Sequence, residues 1–370
     1  IPLLLLQGAE GIAVGMATRI LPHNFCELIQ AQIAVLREED FEIFPDFPQK
    51  GMVDVTDYEQ GNGKVRCRAR IGEKNEKTIT ITEIPYGTTT TSLIDSIEKA
   101  AKSGKIKILS ISDYTAEEVE IEIKLPRNIY AKDTIKALYA FTDCEMSLNT
   151  NLTLIRGNLP ETGTVDEVIR FNTEKLVADL TRELEIDLAR LSQKLHARLL
   201  EQIFIEERLY KEIEEVTTYE RVVSTVDESL QPYLKQLEQP LTREDIERLL
   251  EIRIKRISRY DIERQAREIK AIRKDIKEIQ SSLKDVVGYT ITYLEKLLDT
   301  YGKDHPRLTE ITEFSEVKAS KVALSNLTVG YNRESGFIGH TIKAEDEQND
   351  IAFPCSEYDR LLLIFSSGAY

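Results

Sequence analysis

Two stretches of this 370-residue chain carry residue types that could act on a ligand. The first is Gly8-Ala9-Glu10-Gly11-Ile12-Ala13-Val14-Gly15-Met16-Ala17-Thr18, where Gly11 and Gly15 flank Ile12 and allow close backbone approach. On spacing alone, Ile12 reads as an aliphatic residue buried at the end of a glycine-rich strand. The second runs from Lys64 to Arg70. There Lys64, Arg66, Arg68 and Arg70 alternate with Val65, Cys67 and Ala69, which predicts a strand with one cationic and one apolar face. Such a face can neutralise phosphates without reading sequence. It equally fits an exposed strand whose cations answer nearby acids. Arg19, His23 and Asn24 follow the glycine-rich string closely and offer polar groups to a nucleic-acid backbone. His23 serves equally well to bond the turn before a helix that Asn24 would cap.

Up to about residue 160, strand and helix signals that would position these groups are mixed, as in an α/β or α+β domain. Phe25 to Leu36, Ser92 to Ala101 and Asp133 to Phe141 have helical apolar spacing. Lys64 to Ile71, Thr78 to Ile84, Val119 to Leu125 and Leu152 to Ile155 read as strands. The character then changes. Leu180, Leu184, Leu188, Leu191, Leu195 and Leu199 recur at three or four residues, in a stretch without proline from 161 to 231. A second seam runs Ile262, Ile269, Ile272, Ile276, Ile279, Leu283 and Val286. Each stripe is narrow and needs a partner, so two long helices are expected to pack antiparallel. Pro232 and Pro240 should break the residues between them into short helices. There, Ile246, Leu249, Leu250, Ile252 and Ile254 offer more apolar surface than one short helix can hide. They fit either an intrachain core or contact with a second copy across a two-fold axis. Beyond about residue 312, short strands are expected at Lys321 to Ser325, Leu327 to Tyr331, Phe337 to Ile342, Ile351 to Pro354 and Leu361 to Phe365.

The net charge of −15 taken alone argues against a nucleic-acid partner. The charge is uneven, however. From Gln60 to Ser110 ten Lys/Arg stand against five Asp/Glu, and the acidic excess lies in the helical middle and near the C-terminus. A global sum therefore hides a local basic face. Cys26, Cys67, Cys144 and Cys355 are scattered, which predicts a reducing, cytoplasmic setting rather than a disulfide framework. The four histidines are scattered too, with no metal-site spacing. No phosphate-binding GxxxxGK[ST] loop and no DxD cluster occur, and no apolar run approaches the roughly 18–20 residues that span a bilayer. The opening Ile1-Pro2-Leu3-Leu4-Leu5-Leu6 reads as an internal segment rather than a signal peptide, so residues upstream are expected.

The string GIAVGMAT at Gly11 to Thr18, with Leu21-Pro22-His23-Asn24, resembles the signature of bacterial gyrase and topoisomerase IV A subunits. The likeness continues in order through Pro45-Asp46-Phe47-Pro48, Gly63-Lys64-Val65, Glu83-Ile84-Pro85-Tyr86, Leu138-Tyr139 and the stretch from Arg253 to Ser258. It extends through Lys321-Val322-Ala323 to Gly336-Phe337-Ile338-Gly339. The run Gly87-Thr88-Thr89-Thr90-Thr91 departs from gyrase, which usually has basic residues there, and looks more like topoisomerase IV. The threonines equally fit the cap of the following helix.

The resemblance implies a multidomain α/β plus α architecture. A tower domain would cover 1–160, an antiparallel coiled coil 161–216 and 261–301, a helical exit gate 217–260, and the start of a C-terminal β-pinwheel 313–370. It implies that Ile12 wedges between base pairs and helps bend a duplex, with DNA contacts at Arg19, His23, Asn24, Lys64, Arg66, Arg68 and Arg70. A dimer contact would involve Ile246, Leu249, Leu250 and Arg253. The implied partners are double-stranded DNA, a second copy at the exit gate, and the ATP-hydrolysing B subunit of a heterotetramer that relaxes or decatenates DNA. No cofactor is expected in this chain, since ATP and Mg²⁺ belong to that ATPase partner. The family's nucleophilic tyrosine follows an arginine in a winged-helix domain, expected upstream of Ile1. Arg259-Tyr260 lies too far along the chain to be that pair, so this chain should not cut DNA unaided. An acidic lining of the cavity beside the coiled coil would keep a transported duplex from sticking. A competing reading is a coiled-coil scaffold with a protein-binding α/β head.

Overall fold

The computed structural model describes residues 1–252, 259–325, 327–340, 342 and 349–364, with the side chains of 259–261 and 349–353 outside that description. The fold is mixed α/β with several small sheets. Its residues group into two units: Ile1–Arg170 with Leu298–Tyr370, and Phe171–Leu297.

The first unit opens with a short helix α1 (Leu3–Gln7), a hairpin of β1 (Ala9–Ala13) and β2 (Met16–Ile20), and helix α2 (Phe25–Leu36). The bounds of α2 are those its apolar spacing predicts. The Asn24 side chain caps it, accepting from the Cys26 and Glu27 amides at 2.8 and 3.3 Å. Next come β3 (Met52–Asp54), β4 (Lys64–Arg68), β5 (Arg70–Asn75), β6 (Thr78–Glu83) and α3 (Thr90–Lys102). They are followed by β7 (Ser110–Asp113), β8 (Ile121–Lys124), α4 (Ala131–Phe141) and β9 (Glu145–Asn149). A second hairpin, β10 (Thr153–Arg156) and β11 (Leu159–Thr162), closes this stretch. In the threonine run, Thr89 caps α3 in a reciprocal box with Ser92.

The run from Lys64 to Ile71, expected as one strand, is two strands in two sheets. β4 lies between β3 and β9, while β5 pairs with β6 at the edge of the sheet β5–β6–β8–β7. The change occurs at buried Ala69, whose amide donates to the Cys144 carbonyl at 2.8 Å. Each sheet has its own core. Val53, Val65 and Cys67 pack with Leu5, Leu21, Leu28 and Phe47. Ile79, Ile81, Ile121 and Ile123 pack against Leu93 and Ile97 of α3 and Leu138 of α4. Full burial stabilises by roughly 1.5–3 kcal/mol for each such large side chain.

Helix α5 (Val165–Glu206) runs on into the second unit; its 42 residues span about 63 Å at ~1.5 Å each. There follow α6 (Tyr219–Leu230), a 3₁₀ segment Gln231–Gln236 containing Pro232, α7 (Arg243–Leu250), α8 (Arg259–Lys284) and α9 (Val286–Tyr301). Leu195 and Leu199 of α5 share an apolar seam with Ile269, Ile272 and Ile276 of α8. The second long helix, expected to be continuous, is interrupted at Asp285. Its carboxylate accepts from the Gly288 amide at 2.9 Å and so starts α9 as a new helix.

Back in the first unit, β12 (Glu310–Ile311) pairs parallel to β3. A short helix α10 (Ala319–Val322) lies against α4, where a strand from Lys321 to Ser325 was expected. The helical turn prevails because the Lys321 and Ala323 amides donate to the Lys318 and Ala319 carbonyls, both at 2.9 Å. β13 (Leu327–Asn332), β14 (Ile338–Gly339) and β15 (Asn349–Cys355) form an antiparallel sheet with β13 in the middle. The strand expected from Leu361 does not form over 361–364; Phe365 lies outside the described residues. No helix among the described residues is long and apolar enough to cross a membrane.

Candidate functional site

The β1–β2 hairpin presents the glycine-rich string. Ala13 pairs with Met16, leaving Val14-Gly15 as a two-residue turn. Gly15 has φ of +80° with open space around it, so the backbone angle rather than crowding selects glycine. Gly8 at the base is different: a Cβ there would lie 2.6 Å from the Ile20 carbonyl oxygen and 2.9 Å from the Pro22 nitrogen. The base is anchored. Ile20 and Leu21 are buried, Arg19 exchanges backbone hydrogen bonds with Asn151 at 2.9 and 3.1 Å, and the Asn151 amide side chain donates to the Ala17 carbonyl at 2.9 Å.

The far end is bare. Ile12 is 89% exposed, Val14 is fully exposed and Met16 is exposed, so the expectation from spacing that Ile12 is buried is overturned. An anchored hairpin carrying a cluster of exposed apolar side chains marks a contact surface. Val14 lies in the turn next to Ile12, whereas Met16 pairs with Ala13 and projects from the opposite face of the hairpin.

Of the polar residues expected beside Ile12, Arg19 stays on the surface, paired across the hairpin with Glu10. His23 and Asn24 face inward, contrary to the expectation that they meet a DNA backbone. His23 is 2% exposed, bonded to the Leu5 carbonyl at 3.2 Å and the Tyr58 hydroxyl at 3.0 Å. Burial lowers its pKa to about 4, so the ring is neutral at pH 7. Asn24, besides capping α2, donates to Asp46 at 2.9 Å and to the His305 carbonyl at 3.2 Å. Both are turned in because the chain enters the core at Ile20 and Leu21.

The cationic strand face is covered at Arg68 and partly at Arg66. Arg66 bonds the buried Asp54 carboxylate and the Phe314 carbonyl; Arg68 bonds Glu145 and the Ser315 carbonyl. The Arg68 guanidinium lies 4.3 Å from the Phe314 ring centre and 4.7 Å from that of Tyr139, leaving Arg68 7% exposed. Arg70 is paired with Glu83 at 2.9 Å and Glu310 at 2.7 Å. Lys64 is exposed, 3.3 Å from Asp57. Arg66 and Arg68 thus belong to an ion-pair layer beside residues 310–315, while Lys64 and Arg70 stay partly open and paired with acids, the alternative of cations answering nearby acids. Burial alone would raise the Asp54 pKa. Hydrogen bonds from the Phe314 amide, from Thr56 and from Arg66 outweigh it and hold the group at about 2.

In the second unit, Ile246 and Leu249 are each 3% exposed, packed with Leu200, Ile203, Phe204, Val226 and Leu230. Their expected place in a dimer contact is corrected to the chain's own core. The cause is local: Thr242 and Asp245 form a capping box that starts α7, and the buried Asp245 carboxylate faces His196 of α5 at 3.4 Å. Leu250 is half-buried on the same cluster, while Arg253 and Ile254 lie outside the described residues. Arg259-Tyr260 starts α8, its side chains also outside the description. Among the described residues, no three His, Cys, Asp or Glu side chains gather as metal ligands.

The profile of the DNA gyrase/topoisomerase IV A-subunit family matches residues 1–295. The chain belongs to that family. It is 40% identical over all 370 residues to the A subunit of DNA topoisomerase 4 from Borreliella burgdorferi, covering 58% of that protein. The DNA gyrase A subunit of Brachyspira hyodysenteriae is 26% identical over 90% of the chain, which covers 42% of that relative. For the gyrase A subunit of Treponema pallidum the figures are 27%, 84% and 40%. The chain thus spans about half the length of the curated relatives it matches. Within this gyrase and topoisomerase IV A-subunit member, GIAVGMAT is the exposed hairpin, and Pro45-Asp46-Phe47-Pro48 is structural. The Asp46 carboxylate accepts from the Leu308 and Thr309 amides at 3.0 and 2.8 Å, fastening residues 305–309 beside α2.

Proposed function

We propose that this chain is part of the DNA-handling A subunit of a type II topoisomerase of the topoisomerase IV kind. The β1–β2 hairpin enters duplex DNA with Ile12 leading into a base step and Val14 at the adjoining turn. Unstacking a step costs a few kcal/mol, offset by the contacts that a bent duplex makes. Arg19 and Lys64, whose surroundings are more open than those of Arg66 and Arg68, touch the flanking phosphates. The α/β part of the first unit acts as the tower, the paired helices α5 and α8 as the coiled coil, and β13 to β15 begin the pinwheel. The helical part of the second unit dimerises, with Leu250 and Arg253 as candidates at the contact. ATP hydrolysis and Mg²⁺ are assigned to the ATPase partner of the heterotetramer, and decatenation and relaxation to the assembly.

The observation that carries this reading is the 89% exposure of Ile12 on an anchored hairpin. Fluorescence transfer between dyes at the ends of a short duplex tests it. The parent chain shortens the end-to-end distance, and Ile12→Ala binds with most of that shortening gone. Equal shortening by both overturns the reading.

A further inference from the structure

Helix α8 carries a second charged feature, unrelated to the hairpin. Arg267, Lys270, Arg273, Lys274, Lys277 and Lys284 are all exposed. At 3.6 residues per turn they fall within a face about 120° wide, and from Arg267 to Lys284 the stripe runs about 26 Å. The acids Glu268, Asp275 and Glu278 lie on the neighbouring flank, where Glu268 answers Arg198 and Arg264, and Glu278 answers Lys274. Glu263 is the one acid at the head of the stripe itself, one turn before Arg267. Among the described residues, no carboxylate pairs with Lys270, Arg273, Lys277 or Lys284. An ordinary solvated helix face mixes signs at i and i+4. Here Lys270/Lys274 and Arg273/Lys277 are instead like-charged at that spacing, in a chain of net charge −15. Lys270, Arg273, Lys274 and Lys277 also line an open groove of about 590 Å³ whose far wall includes Gln202 of α5.

We infer that this stripe grips the phosphate backbone of duplex DNA. The partner follows from charge complementarity: four cations without carboxylate partners, Lys270, Arg273, Lys277 and Lys284, spread over about 21 Å of helix, fit a partner with regularly repeated anions, and duplex DNA carries one charge per ~1.7 Å of axis. The inference rests on the reading of the chain as a DNA-handling subunit, and it reverses the expectation of an acidic lining along the paired helices. The contact is non-specific, strong at low salt and readily released as salt rises.

The test compares the salt dependence of binding to a linear duplex for the parent chain and for the triple variant K270Q/R273Q/K277Q. A control, R182Q/R190Q/R264Q, removes three cations that do have carboxylate partners. Circular dichroism confirms that each is folded. With ~0.9 counterions released per phosphate, loss of three contacts lowers the slope of log affinity against log salt by roughly 2.7. The control changes it far less. A parental slope in the stripe variant, or an equal fall in the control, overturns the inference. So does polyglutamate binding the parent as tightly as a duplex of equal charge, which reassigns the stripe to acidic proteins. Ile12→Ala, run in parallel for bending, keeps the two claims separate: its outcome does not depend on the slope of the stripe variant.

Discussion

Ile12 and Ala17 face each other across the β1–β2 hairpin, and the smallness of Ala17 leaves the isoleucine uncovered. Cross-strand neighbours lie about 5 Å apart, close enough for a larger partner to shield it.

Ala17→Leu should therefore blunt the wedge without touching it. Stability should stay within about 0.5 kcal/mol, as for other surface changes. Duplex bending should fall part of the way toward that of Ile12→Ala. End-to-end fluorescence transfer, with thermal unfolding alongside, checks both.

His23 gives a pH prediction with a definite sign. Its folded pKa, lowered by burial to about 4, lies below the ordinary value of 6.5. Between those values the unfolded chain binds more protons, so stability is complete above about pH 6.5 and declines as pH falls toward 4. The loss from this residue is roughly 3 kcal/mol. Denaturant unfolding of the parent across that window should show the decline, and His23→Gln should flatten it. Imidazole proton shifts should titrate near pH 4.

Arg68→Ala tests the ion-pair layer. Removing the guanidinium leaves Glu145 without its closest partner and strips a cation from two aromatic rings. A destabilisation of roughly 3 kcal/mol is expected from breaking a buried pair. Well below the unfolding midpoint, duplex affinity should be unchanged. A variant of parental stability with weakened DNA binding would restore Arg68 to the DNA surface.

Ile246→Ala separates core from interface. As a core residue it should cost roughly 2–5 kcal/mol of stability. The variant that remains folded should keep the parental dimerisation constant by analytical sedimentation. Loss of dimer with full stability would return Ile246 to the contact.

These cases show what was legible in the sequence and why. The apolar period of Phe25 to Leu36, with Asn24 before it, defined a helix to the residue because cap and period are both local. Alternation placed Val65, Cys67 and Ala69 inward correctly. It was silent on what would cover the opposite face. The cover on Arg66 and Arg68 comes from Phe314 and Ser315, nearly 250 positions away. Ile246 and Leu249 were rightly read as an apolar face, but period alone does not say whether the partner is the same chain or another. The exposure of Ile12 was the opposite case. Spacing pointed inward, but among the described residues β1 and β2 form a two-stranded sheet with small Ala17 opposite Ile12, which leaves the side chain outward.

The most direct measurement of the central claim is base unstacking itself. A duplex carrying 2-aminopurine at successive positions should brighten at one step when the parent chain binds, and stay dark at that step with Ile12→Ala despite binding. Uniform darkness with the parent, or equal brightening with the variant, would contradict the wedge.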